Sequence, residues 1–296
     1  MTFELFTQYL FAGITYGSIY AIVAIGFNII YNTTGIINFA QGEFVMIGAM
    51  TAISLNHFLP LPLAILFAVL VTMAVGALIE IIFIRWLVNP SVLRVVIITI
   101  GISIMTKEAA LHIWGESVYA LPYFMGDEIS SIRILGANIS PQVLWVIGVC
   151  FLMVAGLSLF FKFTFLGQKM RACASNKVAA TLCGINAKNM VTFSFMLSAG
   201  IGALAGCVMS PITYTQYDNG TGLAIKGFTV AILGGLGNSF AAVAAGLLLG
   251  IIGAFSVSFL PLAFQDAVSI TILLLILFFK PHGIFGNKEA AGLKEF

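Results

Sequence analysis

Charge is scarce in this sequence. Asp, Glu, Lys and Arg make up 8% of its 296 residues against 60% that are hydrophobic, and the mean hydropathy is +1.10. A soluble domain carries about a quarter charged residues because its surface faces water. The outer surface of this chain therefore faces an apolar medium. Only helices and closed barrels satisfy their backbone polar groups in lipid, and the long apolar runs lack the alternation of a barrel strand. Helices remain. Cysteine and histidine are few as well: Cys150, Cys173, Cys183 and Cys207 have no paired-ligand spacing. No His/Asp/Glu metal set, no Ser with a nearby His and no Cys/His pair falls at a common depth, so disulfides, metal and an intramembrane enzyme are not expected. The net charge of +2 gives no reason to expect nucleic acid as a partner. A G-x-x-x-x-G-K-[ST] loop is absent, which excludes ATP binding by a P-loop. Before the first apolar run stands Glu4 with no Lys or Arg, so no cleavable signal is expected and that run stays as a span.

A span needs about 20 mostly apolar residues. Such runs lie at 9–31, 35–58, 62–84, 93–113, 141–162, 190–210, 240–260 and 264–280, with a shorter one at 226–238. Lys and Arg mark the cytoplasmic side. Arg85 and Arg94 flank one link, the segment 162–188 holds Lys162, Lys169, Arg171, Lys177 and Lys188 without a carboxylate, and the tail holds Lys280, Lys288 and Lys294. The link 114–140 carries Glu116, Asp127, Glu128 and Arg133, which places it outside. Counting crossings puts the N-terminus outside and the C-terminus inside if 226–238 also crosses. At about 1.5 Å per residue that run falls short of a ~30 Å core, so it reads as a short or broken helix buried in protein. The expected fold is an all-α, polytopic helical membrane bundle of about 8–9 spans. It forms one transmembrane domain over 1–296, with loops of about 163–190 inside and 114–140 outside.

Glycines at small-xxx-small spacing, Gly13 with Gly17, Gly202 with Gly206 and Gly246 with Gly250, let helix backbones approach closely in lipid. Ordinary packing within the bundle explains them; an interface between subunits is the sharper reading. In the basic loop, Asn176 reads as an N-cap, 178–183 as a short helix and Gly184 as its stop. The result is a surface helix with an exposed apolar side, a feature that usually meets a partner.

The spacing Ala179-Ala180-x3-Gly184 in that loop resembles the cytoplasmic coupling motif of ABC importer permeases, with Val178 where the motif carries an acid. Gly35-Ile-Ile-Asn38-Phe-Ala-Gln41-Gly42-Glu43-Phe, after Gly26-Phe-Asn28-Ile-Ile-Tyr, resembles the N-terminal signature of branched-chain amino-acid permeases, which often have His in place of Gln41. Arg171-Ala-x-Ala174, Gly184-Ile185-Asn186 and Lys226-Gly-Phe…Leu233-Gly-Gly-Leu-Gly237 are similar to that family in the same order, so the resemblance spans roughly 9–285. It implies a permease subunit of an ATP-driven importer working by alternating access in a bacterial cytoplasmic (inner) membrane. It also implies partners: two P-loop ATPase subunits that carry ATP and Mg, a second homologous permease forming a heterodimer, and an extracytoplasmic substrate-binding protein. No cofactor is expected on this chain. Arg171, Val178, Ala179, Ala180, Gly184, Ile185 and Asn186 are the coupling candidates. Related permeases for urea and short amides share the pattern, and inverted repeats with interrupted helices at 35–45 and 226–238 also suit a partner-independent secondary transporter.

Ionisable groups in spans are functional candidates by default. Glu43 sits inside its run, and Asn38, Gln41, Gly42 and Glu43 are the candidates for the translocation path. On a regular helix Glu43 lies 200° round from Gln41, so these residues share a cavity only if Gly42 marks a break. The alternative for Glu43 is a structural carboxylate bonded to Ser or Thr of a neighbour. Glu80 is expected to snorkel, Lys107, Glu108 and His112 to form an internally paired cluster, and Asp266 to be an exposed helix-start acid. His57 and His282 read as interfacial. The aromatic link 210–226 reads as an interfacial belt or as a contact for the binding protein.

Overall fold

The computed structural model describes residues 3–87, 91–126, 129–134, 136–261, 264–280 and 283–284, without the side chains of 265 and 266. Asp127, Glu128, His282, Lys288, Lys294 and the side chain of Asp266, all given roles above, lie outside that description. In chain order come α1 (Phe3–Thr34), α2 (Gln41–Asn56), α3 (Leu61–Ile79) continued by a π-turn at Glu80–Ile84, and α4 (Val92–Trp114). A hairpin of β1 (Ile132–Ile134) and β2 (Ala137–Ile139) follows, then α5 (Pro141–Phe163), α6 (Phe165–Ser175) and α7 (Lys177–Leu182). The chain continues with α8 (Ala187–Thr213), α9 (Asn219–Gly234), α10 (Ser239–Ser256) and α11 (Gln265–Phe279). Each apolar run carries a helix. Among the described residues, five are long and apolar enough to cross a membrane: α1, α3 with its π-turn, α5, α8 and α10. The protein is an all-α, multi-pass membrane protein.

Two helices differ from the sequence reading. The run 35–58 was expected to be one span, yet α2 has 16 residues and begins at Gln41. Gly35, at φ +71°, ends α1 in a left-handed conformation that only glycine adopts without strain. Asn38 then accepts the Ala40 N–H at 3.1 Å and turns the chain back toward the bundle interior. The break therefore precedes Gln41; Gly42 lies within the first turn of α2. The short run at 226–238 belongs to α9, also 16 residues, which starts at Asn219 and stops at Gly234. Sixteen residues reach about 24 Å, less than a ~30 Å core, so neither α2 nor α9 is long enough by itself to span one.

Packing relates these two halves. α1 packs on α9 and α10, and α8 packs on α2 and α3. α2 touches α3 and α4, as α9 touches α10 and α11. Exchanging α1–α4 with α8–α11 thus reproduces the arrangement. Glycines set the closest crossings. A Cβ added at Gly13 would lie 2.6 Å from the Ile251 Cα, and one at Gly17 would lie 2.7 Å from the Gly246 carbonyl, so α1 and α10 run antiparallel with backbones in contact. Gly202 meets Phe44 and Val45 of α2, and Gly206 meets the Val45 carbonyl. The small-residue pairs are seams within this chain.

Interactions across the chain order fix two ends. At one, Arg133 of the hairpin pairs with Glu4 at 3.2 Å and Tyr119 forms a bridge with Thr215. At the other, Asn32 donates to the Gly237 carbonyl at 2.8 Å and Thr192 donates to Glu80 at 2.6 Å. The basic segment 162–188 lies at this second end.

Candidate functional site

The basic end carries the first candidate region. Thr164 caps α6 by accepting the Gly167 N–H at 3.0 Å, a helix the sequence reading had merged into the loop. Asn176 caps α7 by accepting the Ala179 N–H at 2.9 Å. α7 closes with Ile185 N–H on the Ala180 carbonyl and Gly184 N–H on the Thr181 carbonyl, with Gly184 at φ +81°. That double bond around a left-handed glycine is a Schellman stop. Asn186 then caps α8, accepting the Asn189 N–H at 3.3 Å. Four capped helix ends within 23 residues give the segment a fixed shape rather than a flexible tether.

Its faces divide sharply. Ala180, 5% exposed, turns into the bundle, while Val178 and Leu182 are 72% and 84% exposed. Ala179, Arg171 and Asn186 are also exposed, and Ile185 is half-buried. The coupling candidates thus separate into an exposed set (Arg171, Val178, Ala179, Gly184, Asn186), a half-buried Ile185 and one buried anchor, Ala180. Leu182, which the motif comparison did not single out, is the most exposed apolar side chain of α7.

The second region lies at the start of α2, deep in the bundle. Gln41 stands against Gly26 of α1 and Ser198 of α8; its Nε2 donates to the Ser198 carbonyl at 3.3 Å, and the Ser198 hydroxyl lies 2.6 Å from its Oε1. Glu43 points the other way. Its Oε1 accepts from Ser103 of α4 at 2.9 Å and from Thr221 of α9 at 3.4 Å, and its Oε2, without a hydrogen-bond partner, lies beside Gly220. Gly42 sits against the Gly220 carbonyl. Asn38, Gln41 and Glu43 are all buried, but Gln41 and Glu43 do not meet in one cavity. The 200° separation holds because both lie on the same regular helix. Glu43 is at once in the first turn of α2 and against the first turn of α9, where two helix N-termini favour a negative charge. Ser103 and Thr221, its partners, are 60 and 178 residues away in sequence and were not legible there.

Two side chains behave differently from the sequence reading. Glu80 does not snorkel; it is buried and accepts from Thr192. Helical side chains lean toward the helix N-terminus, and on α3 that direction leads away from the nearby basic end. Lys107, Glu108 and His112 do not form an internal ion cluster. Residues 107 and 108 diverge by about 100° around α4, so Lys107 stands over the Tyr217 ring at 5.7 Å while Glu108 points outward. His112 Nδ1 lies 2.8 Å from the Glu108 carbonyl oxygen. Among the described residues no group of three His, Cys, Asp or Glu is placed to hold a metal.

Residues 9–277 match the family model described as branched-chain amino acid transport system / permease component. The high-affinity branched-chain amino acid transport system permease protein BraD of Pseudomonas aeruginosa is 34% identical, over 96% of this chain and 97% of that protein. The permease protein LivH of the same kind of system in Salmonella typhimurium is 32% identical over 97% of each. A probable branched-chain amino acid transport permease protein LivH of Methanocaldococcus jannaschii is 26% identical over 92% of this chain and 90% of its own length. No solved structure matches the chain. With the family model covering most of the helical bundle and relatives aligned nearly end to end, this chain belongs to the branched-chain amino acid transport system permease family, as a transport subunit rather than an enzyme.

Proposed function

We propose that this chain is the permease subunit of an ATP-driven importer that moves branched-chain amino acids by alternating access. The observation that carries the coupling half of this reading is α7: a rigidly capped helix at the basic end that presents Val178, Ala179 and Leu182 outward. In this reading the groove of a P-loop ATPase covers that face, with Arg171 and Asn186 at its rim, Ala180 and Ile185 holding the helix against the bundle and Gly184 ending it. Two such ATPases supply ATP and Mg; the chain needs no cofactor of its own. A second permease of the same family, in a heterodimer, and an extracytoplasmic binding protein complete the assembly, with no nucleic acid involved. The membrane is a bacterial cytoplasmic (inner) membrane, the N-terminus lies outside and the C-terminus inside, and α7 lies on the cytoplasmic side where Lys and Arg collect.

The start of α2 fits the closed state of the path. Glu43 ties α2 to α4 and α9, so those helices cannot separate while Ser103 and Thr221 hold it. Asn38, Gln41 and Gly42 fix the lead-in that places it there. ATP-driven movement of α7 reaches α8 directly and α3 through the Thr192–Glu80 bond. A hydrogen bond to a charged group contributes roughly 1.5–3 kcal/mol. Glu43→Gln, which removes the charge facing two helix N-termini, is expected to lower uptake about tenfold. Glu80→Gln keeps an amide oxygen for its single donor Thr192 and is expected to change uptake far less. Initial rates of uptake at matched membrane expression check the order; a larger loss at Glu80 would remove Glu43 from the path.

The function is tested by deleting the gene in its native host and measuring uptake of radiolabelled leucine, isoleucine, valine and urea. Loss of the first three, restored by the gene in trans, is the expected result. Loss of urea uptake alone would overturn the substrate assignment and leave the architecture in place.

A further inference from the structure

α4 is the least covered of the long helices. It packs on α2, and its outward stripe runs through Ile97, Gly101, Ile104, Glu108 and His112, at spacings of three and four residues. Ile97, Ile104, Glu108 and His112 are exposed, and a Cβ at Gly101 would meet nothing within 4 Å. Apolar members of such a stripe suit lipid. Glu108 does not. It lies six residues, about 9 Å, inside the end of α4 at Trp114, and its carboxylate has no hydrogen-bond or ion-pair partner among the described residues. A charged side chain facing hydrocarbon is expensive and is a functional candidate by default. Snorkelling offers no relief, because a side chain on α4 leans toward the N-terminus of the helix and therefore deeper into the membrane. The carboxylate thus faces something polar that this chain does not supply.

The rest of the stripe says what. Glu116, just beyond the helix, His112 and Glu108 follow one another at intervals of four and lead inward from the end that carries the hairpin. His112 spends its Nδ1 on the carbonyl of Glu108, so the two residues hold one local geometry. Below them Ile104, Gly101 and Ile97 offer an apolar strip with an open notch. A carboxylate above an apolar strip is complementary to a small molecule with an ammonium group and a hydrocarbon side chain. Glu43 and Glu80, two other carboxylates on helices of the bundle, are both buried and hydrogen-bonded. Glu108 alone among the three is open to a ligand. We infer that the Glu108 face of α4 lines a water-filled entry path, and that Glu108 receives the ammonium group of the amino acid while Ile104 and Ile97 receive its side chain. This inference rests on the importer reading for its ligand, although not for its water access.

Two measurements on the assembled complex in proteoliposomes test it. First, with Cys183 replaced by Ser, single cysteines at Ile104, Glu108 and, as a lipid-facing control, Leu152 are exposed to a membrane-impermeant cationic thiol reagent. Reaction at 104 and 108 but not at 152 is expected, and leucine delivered by the binding protein should slow it. Second, E108Q is expected to lower leucine uptake about tenfold, the equivalent of one lost ion pair of ~1.4 kcal/mol, while E108D keeps most of it. The Glu108 side chain supports no fold contact, so E108Q should leave assembly unchanged. No reaction at 108 would mean that a partner protein or lipid covers the face, and would overturn the inference. So would reaction at 108 with unchanged uptake by E108Q, which would show water without recognition. Failure of the wild-type complex to take up leucine at all would instead overturn the substrate assignment, and the labelling pattern would still decide the path.

Discussion

Leu182→Asp abolishes uptake while the protein still inserts, folds and reaches normal abundance. Leu182 is 84% exposed at the end of α7, so a carboxylate there disturbs no packing in this chain. The same change in an apolar helix-in-groove contact leaves a desolvated charge without a partner, at several kcal/mol. One such loss is enough to empty the interface: 4 kcal/mol is about a thousandfold in affinity. Ala180→Asp is the informative contrast. Ala180 is buried against the bundle, so its replacement removes folded protein as well as transport and says nothing about docking. Uptake with membrane abundance from a C-terminal tag, and co-purification of the ATPases, separate the two. Normal uptake by an abundant L182D protein would exclude α7 as the contact.

Gly17→Val unfolds the bundle or blocks its assembly, whereas Gly148→Val does neither. At Gly17 the first added carbon already lies 2.7 Å from the Gly246 carbonyl and 2.8 Å from the Leu247 Cα, both backbone atoms that no rotamer change can move. Overpacking usually costs about 1–3 kcal/mol, and here two backbones must separate along the α1–α10 seam. In lipid that seam has no hydrophobic drive to restore it, because the competing solvent is as apolar as the helix. Gly148 on α5 has open space around it, so a valine there meets only the surroundings. Monodispersity in mild detergent and the thermal midpoint of each variant measure the difference. Equal midpoints would mean that α1 and α10 are not joined at Gly17.

These two expectations draw on different kinds of legibility. The bundle itself was readable because long apolar runs have one solution in lipid, and each run carries a helix. The caps of α7 were readable because Asn176 and Gly184 organise backbone bonds that span only three to five residues. What failed to show in the sequence depended on distant partners. The segment 210–226 reads as a link, yet Asn219-Gly-Thr-Gly within it opens α9, because Gly42 and Gly220 let α2 and α9 cross there with backbones in contact. Glu80 looked interfacial by its position beside Arg85; its burial follows from the lean of the side chain and from Thr192, 112 residues on. Gln41 and Glu43 face apart because α2 is regular through Gly42, the case in which the sequence does not bring them together, but which neighbour each meets is fixed only by how the two halves interleave. Glu108 illustrates the reverse. Its position beside Lys107 suggested a pair, and only the folded α4 shows the two diverging.

The central claim is that this chain works as one part of an ATP-driven complex, and solubilising it from its native membrane in mild detergent tests that claim most directly. Affinity capture followed by identification of the co-purifying proteins should return two P-loop ATPases and a second permease in stoichiometric amounts, and L182D should lose the ATPases while keeping the permease. Recovery of a folded, monodisperse chain alone, from membranes in which it still supports uptake, would contradict the account and make this protein a self-sufficient transporter.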